Sequence, residues 1–273
     1  MDIDILGTLA VREKGVSITP TAPKPRQVLA LLALDADQVV HVDTLSEELW
    51  GAKPPRSARP TLQTYILQLR EMITLALDSG DEPEDRSAKD VLLTVPGGYL
   101  LKSGGGTSDV REFERLAGMG YRAMDAEDYP GAAHRLREAL ALWTGPALAD
   151  VHAGTHLETQ IKRLEESRLC ALDQRIEADL RLGRHRELLA ELTVLVSRYP
   201  THESLCGQYM LALYRSGRRG EALDAYQRLR ATLVRTLGLE PSPALGKLQR
   251  SILMAGPESV PPAAGSGRLT AIG

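Results

Sequence analysis

RSARPTLQTYILQLREMITLAL, residues Arg56 to Leu77, decides how the chain is read. Ala58, Leu62, Ile66, Leu69, Ile73 and Ala76 recur at steps of four and three, so one face of a helix is apolar. Ser57 stands where an N-cap is needed, and Pro60 falls in the first turn, where its missing N–H costs no intrahelical bond. The opposite arc carries Arg56, Pro60, Gln63, Thr64, Leu67 and Gln68, with Ser57 and Thr61 beside it and no acid before Glu71. Amide and hydroxyl groups facing outward between arginines suit base edges and phosphates. Taken alone, the same pattern also describes an ordinary solvated helix.

The neighbouring segments narrow that choice. Upstream, Arg26 to Ala36 is a Leu/Ala-rich helix behind Pro20, Pro23 and Pro25. Val39 to Val42 is an extended link, and TLSEELWG (Thr44–Gly51) is a short helix stopped by Gly51. Lys53-Pro54-Pro55-Arg56 then makes a short rigid turn, so two helices and a turn give a helix-turn-helix. Downstream, VLLTV-PGG-YLL predicts a hairpin in the position of a wing. Ile3, Ile5, Leu9, Val11, Val16 and Ile18 alternate as short N-terminal strands. The polar stretch Asp81 to Asp90 lacks periodicity and is expected to be a mobile loop. Ser103 to Ser108, SGGGTS, is expected to be a flexible joint between domains, and it lacks the Gly-Lys-Ser/Thr of a phosphate loop.

The second half is helical throughout. Helices are expected over 109–126, 129–142, 155–182, 184–198, 202–215, 218–237 and 243–253. AEDYPGAAHRL, LGRHRELLAEL and SGRRGEALDAY echo one another, with Gly183 and Gly217 34 residues apart, the tetratricopeptide period. Such stacks present a concave surface to a partner, although a plain helical bundle remains open. The tail 255–273, rich in Pro, Gly, Ser and Ala, is expected to be disordered.

The net charge of −3 over 273 residues excludes a protein coated in basic charge, so nucleic-acid contact must come from a local patch. Ala52 to Arg70 holds Lys53, Arg56, Arg59 and Arg70 with no acid, and Lys24 and Arg26 add to the set. Cys170 and Cys206 are expected as buried thiols in a reducing, cytosolic setting, without disulfide or metal. No signal peptide or membrane span is visible. His152 and His156 are four apart with Glu158 near, but Gly154 between them argues against helical metal-ligand spacing. Neither a nucleophile elbow nor a catalytic cysteine context is present, so no enzyme and no cofactor is expected.

The chain resembles the SARP family, the antibiotic-pathway activators of actinomycetes. The carrying stretches are ILGTLAV, PKPRQVLALLAL, ELWGAKPPRSARPTLQTYILQLR, VPGGYLL, DVREFERL, ALALWTGPALADV and YRSGRRGEALDAYQRLR to LGLEPSPAL. The resemblance implies a mainly α chain: an N-terminal winged helix-turn-helix with a small β-sheet over 1–103, then an all-α tetratricopeptide-like activator domain over 109–254. It implies binding of double-stranded DNA at direct repeats near the promoters of biosynthetic genes, by side-by-side protomers forming a homodimer on DNA. It further implies recruitment of RNA polymerase holoenzyme. Gln68 departs from the Arg that many members carry there, which alters the expected contact. No ATPase module follows the helical domain, as it does in larger members, so a small stand-alone member is expected. The expected DNA-contacting set is Lys24, Arg26, Arg56, Ser57, Arg59, Thr61, Gln63, Thr64, Gln68, Arg70, Gly97, Gly98, Tyr99 and Lys102. The alternative is a helical-repeat protein adaptor without specific DNA binding; a small ligand of the helical domain is a third reading, with no residue to identify it.

Overall fold

The computed structural model describes residues 1–79 and 86–254. Most of the acidic loop (81–85) and the tail 255–273 lie outside the described residues. The chain forms two compact units: Met1–Gly118 with Glu138–Cys170, and Met119–Arg137 with 171–254.

The first unit begins with an antiparallel sheet, β1 (Asp2–Asp4), β2 (Ala10–Glu13) and β3 (Val16–Ser17), in which Ile3 pairs with Val11 and both are buried. Helix α1 (Pro23–Leu34) starts three residues earlier than expected, because proline is tolerated in a first turn. Its residues Gln27 to Ala33 are all buried, so it is the central helix against which α2 (Val42–Trp50) and α3 (Ala58–Asp78) pack. All six apolar positions expected on the inner face of α3 are buried. Beyond it come α4 (Ala88–Val91), capped reciprocally by Ser87 and Asp90, then the hairpin β5 (Leu92–Val95) and β6 (Gly98–Leu101). The expected link at 39–42 is in fact strand β4 (Val39–His41), which pairs with β6 to give the order β4-β6-β5. A strand's partner is a long-range fact that local alternation cannot carry.

Two expected details change. The connection between α2 and α3 spans residues 51–57, longer than a tight turn, and Lys53, Pro54, Pro55 and Arg56 are exposed along it. Ser57 occupies the N-cap position, but its hydroxyl makes no capping hydrogen bond.

The glycine-rich segment 103–108 lies inside the first unit, and it is tied down at both ends. Ser103 donates through its N and Oγ to Asp37 (2.9 and 2.7 Å), and Thr107 donates likewise to Asp2 (2.9 and 2.7 Å). A Cβ on Gly106 would come within 1.8 Å of the Met1 carbonyl oxygen, so close backbone approach, as well as flexibility, requires glycine there.

The hydrogen bonds from Ser103 and Arg111 hold the Asp37 carboxyl down at about 2. A carboxylate with a lowered folded-state pKa contributes stability above its ordinary 3.8, and that contribution is lost as pH falls toward 2. Asp37→Asn is therefore expected to flatten the acid limb of the stability curve between those values. Urea unfolding at a series of pH values measures it. Asparagine suits the positive φ of 70° at this position.

Helix α5 (Asp109–Asp125) and α7 (Thr155–Arg181) contribute residues to both units, joined by α6 (Tyr129–Ala141). In the first unit, the Asp109 carboxylate accepts from the backbone N–H groups of Ile5 and Leu6, both at 2.7 Å. Burial pushes this carboxyl up. Thr144, Leu148 and Ala149 donate their N–H groups to the carbonyls of Leu6, Ile5 and Gly7. Glu48, on α2 and only 3% exposed, reaches the start of α7. Its Oε1 accepts from the Gly154 N–H (2.5 Å) and its Oε2 from those of His156 and Leu157 (2.9 and 3.1 Å). This carboxylate satisfies helix-terminal donors from more than a hundred residues away in sequence.

The second unit adds α8 (Leu189–Arg198), α9 (Glu203–Arg215), α10 (Arg219–Leu237) and α11 (Pro243–Met254). Helix α8 begins five residues later than expected, since residues 184–188 form turns with i to i+3 bonds such as Glu187 N–H to Arg184 C=O. The three echoed segments share one geometry. Glu127, Gly183 and Gly217 all have positive φ (58°, 79° and 80°). The N–H after each bonds the carbonyl five residues back: Asp128 to Ala123, Arg184 to Asp179 and Arg218 to Leu213. Each is a Schellman helix end, which explains why the repeat is visible in sequence as a turn signature.

Cys206 is buried and its thiol is pushed up to about 12, whereas Cys170, expected inside, is exposed on α7. One thiol per chain is thus expected to react with a maleimide under native conditions and two after denaturation, read by intact mass.

Candidate nucleic-acid interface

The outward face of α3 is built by the burial of its other face. With Leu62, Ile66 and Leu69 locked into the core, Gln63, Thr64, Leu67 and Gln68 are left exposed together, and Arg59 and Pro60 lie exposed one turn earlier. Thr61 is half-buried at the edge. The Thr64 hydroxyl donates to the Pro60 carbonyl (3.1 Å), which orients its methyl group and leaves its oxygen to accept. Leu67, 56% exposed, was on the outward arc in sequence but outside the expected DNA-contacting set; it gives the face an apolar patch of the kind that meets a thymine methyl. Arg56, Ser57 and Lys53 are exposed on the adjoining loop. The face from residue 52 to residue 70 carries no acid.

Other residues of the expected set are directed inward. Arg70 donates through Nε and Nη2 to the Leu92 carbonyl (3.0 and 2.8 Å) and through Nη2 to Thr94 Oγ1 (2.8 Å), so it braces α3 against β5. Lys24 donates from Nζ to the Leu49 carbonyl (2.6 Å) and to Gln27 Oε1 (3.2 Å), satisfying an orphan carbonyl at the end of α2. Arg26 pairs with Asp150 and donates to the carbonyls of Pro20 and Leu9 (3.3 and 3.4 Å). Basic residue type was the only sequence signal for these three, and it does not distinguish a phosphate ligand from a strut.

The wing divides in the same way. Gly97 is exposed at the tip with φ of 80°. Gly98 is buried, and a Cβ there would lie 2.4 Å from the Val40 carbonyl oxygen, so glycine is needed for the pairing of β4 with β6. Tyr99 is buried between its cross-strand neighbours Val40 and Thr94. Lys102 is exposed but follows the far end of β6, roughly 13 Å or more from the tip at about 3.3 Å per residue. The groups brought together on one surface are therefore Arg56, Ser57, Arg59, Gln63, Thr64, Leu67 and Gln68.

Two of the six histidines serve the scaffold. His156 Nε2 lies 3.1 Å from Glu47 Oε2, and His202 accepts from the Leu205 N–H (3.3 Å) as the N-cap of α9. Among the described residues, no helix is long and apolar enough to cross a membrane.

Comparison with known proteins agrees with this architecture. A family model described as "Transcriptional regulatory protein, C terminal" matches residues 16–99, and one described as "Bacterial transcriptional activator domain" matches 108–253. The family boundary thus falls at the glycine-rich segment, although the packing units do not divide there. The chain is 53% identical over 257 residues to the regulatory protein DnrI of Streptomyces peucetius, covering 94% of this chain and 93% of DnrI. It is 37% identical over 254 residues to the regulatory protein AfsR of Streptomyces coelicolor, covering 93% of this chain but 24% of AfsR. A solved structure of Mycobacterium tuberculosis EmbR in complex with a low-affinity phosphopeptide superposes with a TM-score of 0.82 at 32% identity, over 92% of this chain and 64% of that one. With two matched family models and a relative more than half identical along nearly its whole length, the chain belongs to the SARP family of actinomycete transcriptional activators, regulators that carry a DNA-binding domain.

Proposed function

We propose that the protein activates a secondary-metabolite gene cluster by inserting α3 into the major groove at direct repeats upstream of its promoters. The observation that carries this reading is the exposed, acid-free face formed by Gln63, Thr64, Leu67 and Gln68. Gln68 and Gln63 supply paired donors and acceptors matched to adenine, and Leu67 and the Thr64 methyl supply apolar contact. Arg56, Ser57 and Arg59 sit where the backbone passes the start of the helix, and the Gly97 turn supplies a wing tip without a side chain to obstruct it. In this reading residues 1–103 bind DNA and 109–254 form the activator domain. In the same proposal, which membership of the family supports, protomers pair on the repeats and recruit RNA polymerase holoenzyme.

A gel shift with the intact chain and DNA upstream of the neighbouring biosynthetic genes tests this. A two-step shift on two repeats, one step on a single repeat, and weakening with salt are expected. Addition of holoenzyme should then raise transcription from that promoter in vitro. No preference over scrambled DNA would reject specific binding and favour a protein adaptor.

A further inference from the structure

The hairpin β5–β6 is tied to both helices of the helix-turn-helix, and the two ties differ in kind. At the tip, Val95 pairs with Gly98, which leaves Pro96-Gly97 as the turn. The Gly97 carbonyl accepts from the N–H of Val42, the first residue of α2, at 2.9 Å. That tie is main chain to main chain. Further down the hairpin the tie is one side chain. Strand β5 lies at the edge of its sheet, in the order β4-β6-β5, so its open side needs donors from outside the ladder. Arg70 supplies them. Its Nε and Nη2 converge on the Leu92 carbonyl (3.0 and 2.8 Å), and Nη2 also donates to Thr94 Oγ1 (2.8 Å), two residues before Pro96.

The place of Arg70 on α3 gives this brace its meaning. It follows Gln63 by seven residues and Leu67 by three, so it continues the side of the helix that carries the outward face. Its guanidinium is nevertheless spent on the wing. The planar fork reaches both acceptors at once, which the point charge of a lysine does not.

We propose that Arg70 is a positioning residue for DNA binding: it fixes the wing relative to the outward face of α3 and does not itself contact phosphate. This rests on the reading of α3 and the wing as the DNA-binding elements. With the brace in place the wing is ordered before DNA arrives, so binding does not bear the cost of ordering it. Pro96 and Gly97 carry no cation, so the tip's share of the affinity is insensitive to salt, unlike that of Arg59.

The test combines gel shifts at several salt concentrations with hydroxyl-radical footprints of the intact chain on the cognate repeats. Arg70→Ala is expected to weaken binding about tenfold, the scale of one or two lost hydrogen bonds, with an unchanged salt slope. Protection of the DNA backbone under the wing should disappear while protection by α3 persists. Arg70→Lys keeps the charge but lacks the fork, so it should resemble Arg70→Ala. Thr94→Val, at an exposed position that does not threaten folding, removes only the hydroxyl and should weaken binding about threefold in the same direction. In the free protein, amide hydrogen exchange over 92–101 should quicken in Arg70→Ala. A salt slope lowered by about 0.9 in Arg70→Ala, or rescue by Arg70→Lys, would overturn the proposal and make Arg70 a phosphate ligand. A footprint weakened evenly along the repeat would overturn it in favour of a purely structural role. A footprint of the unaltered chain that Arg70→Ala and Thr94→Val both leave unchanged would overturn the positioning role alone. No specific footprint from the unaltered chain would reject the DNA-binding reading and this role with it.

Discussion

Glu48→Ala is expected to lower the unfolding free energy of the first unit by about 3–4 kcal/mol. The carboxylate sits almost fully buried and accepts from three backbone N–H groups at the start of α7, and Gln27 Nε2 donates to its Oε1 at 2.8 Å. Removing it strands the three backbone donors, while Gln27 Nε2 keeps its bond to the Glu48 main-chain carbonyl (2.9 Å); each buried polar group left unmade costs roughly 1–3 kcal/mol before relaxation and water entry reduce the sum. Position 154 requires glycine, because a Cβ there would lie 2.3 Å from the Glu48 main-chain carbonyl oxygen. Glu48→Gln keeps one oxygen acceptor and the volume, so about half the loss is expected. Urea denaturation followed by tryptophan fluorescence is suited to the comparison, since Trp50 and Trp143 both lie in this unit. Equal stability of Glu48→Ala and the unaltered protein would show that these bonds are not the tie they are drawn to be.

The second large effect concerns DNA. Gln63→Ala/Gln68→Ala is expected to reduce affinity for the cognate repeat by roughly 1–3 kcal/mol for each base-reading amide, and to leave affinity for scrambled DNA nearly unchanged. Both side chains are exposed on α3 and neither supports the core, so the protein should fold normally. Arg59→Ala provides the contrast. Removing a guanidinium that pairs with phosphate should weaken binding to every sequence and lower the salt slope by about 0.9. Competition titrations at several salt concentrations separate the two patterns. If the glutamine pair altered both DNAs equally, those residues would not be reading bases.

How much of this was legible in the sequence depends on the range of the forces involved. The inner face of α3 was fully legible, because six apolar residues at helical spacing have one way to be buried together. The helical repeats were legible through their ends: Gly183 and Gly217 mark left-handed turns, whereas Glu127 occupies the same conformation with no glycine to mark it. What local pattern could not supply was the use made of each charge. Lys24, Arg26 and Arg70 read as a basic patch, yet each is engaged by a carbonyl or carboxylate contributed by a distant segment. Glu48 read only as part of a short amphipathic helix, since its three main N–H partners lie more than a hundred residues away. The segment 103–108 read as a free joint because glycine signals flexibility and close approach alike, and here Gly106 is required by its approach to Met1.

Cleavage from the outward face of α3 shows whether that face lies in the major groove. Gln68→Cys in a Cys170→Ser background gives one accessible thiol, to which an iron-chelate cleavage reagent is attached. On cognate duplex, cuts are expected to be confined to each repeat, on both strands, with the stagger that spans a major groove. Cuts staggered across the minor groove, or scattered without position, would contradict it.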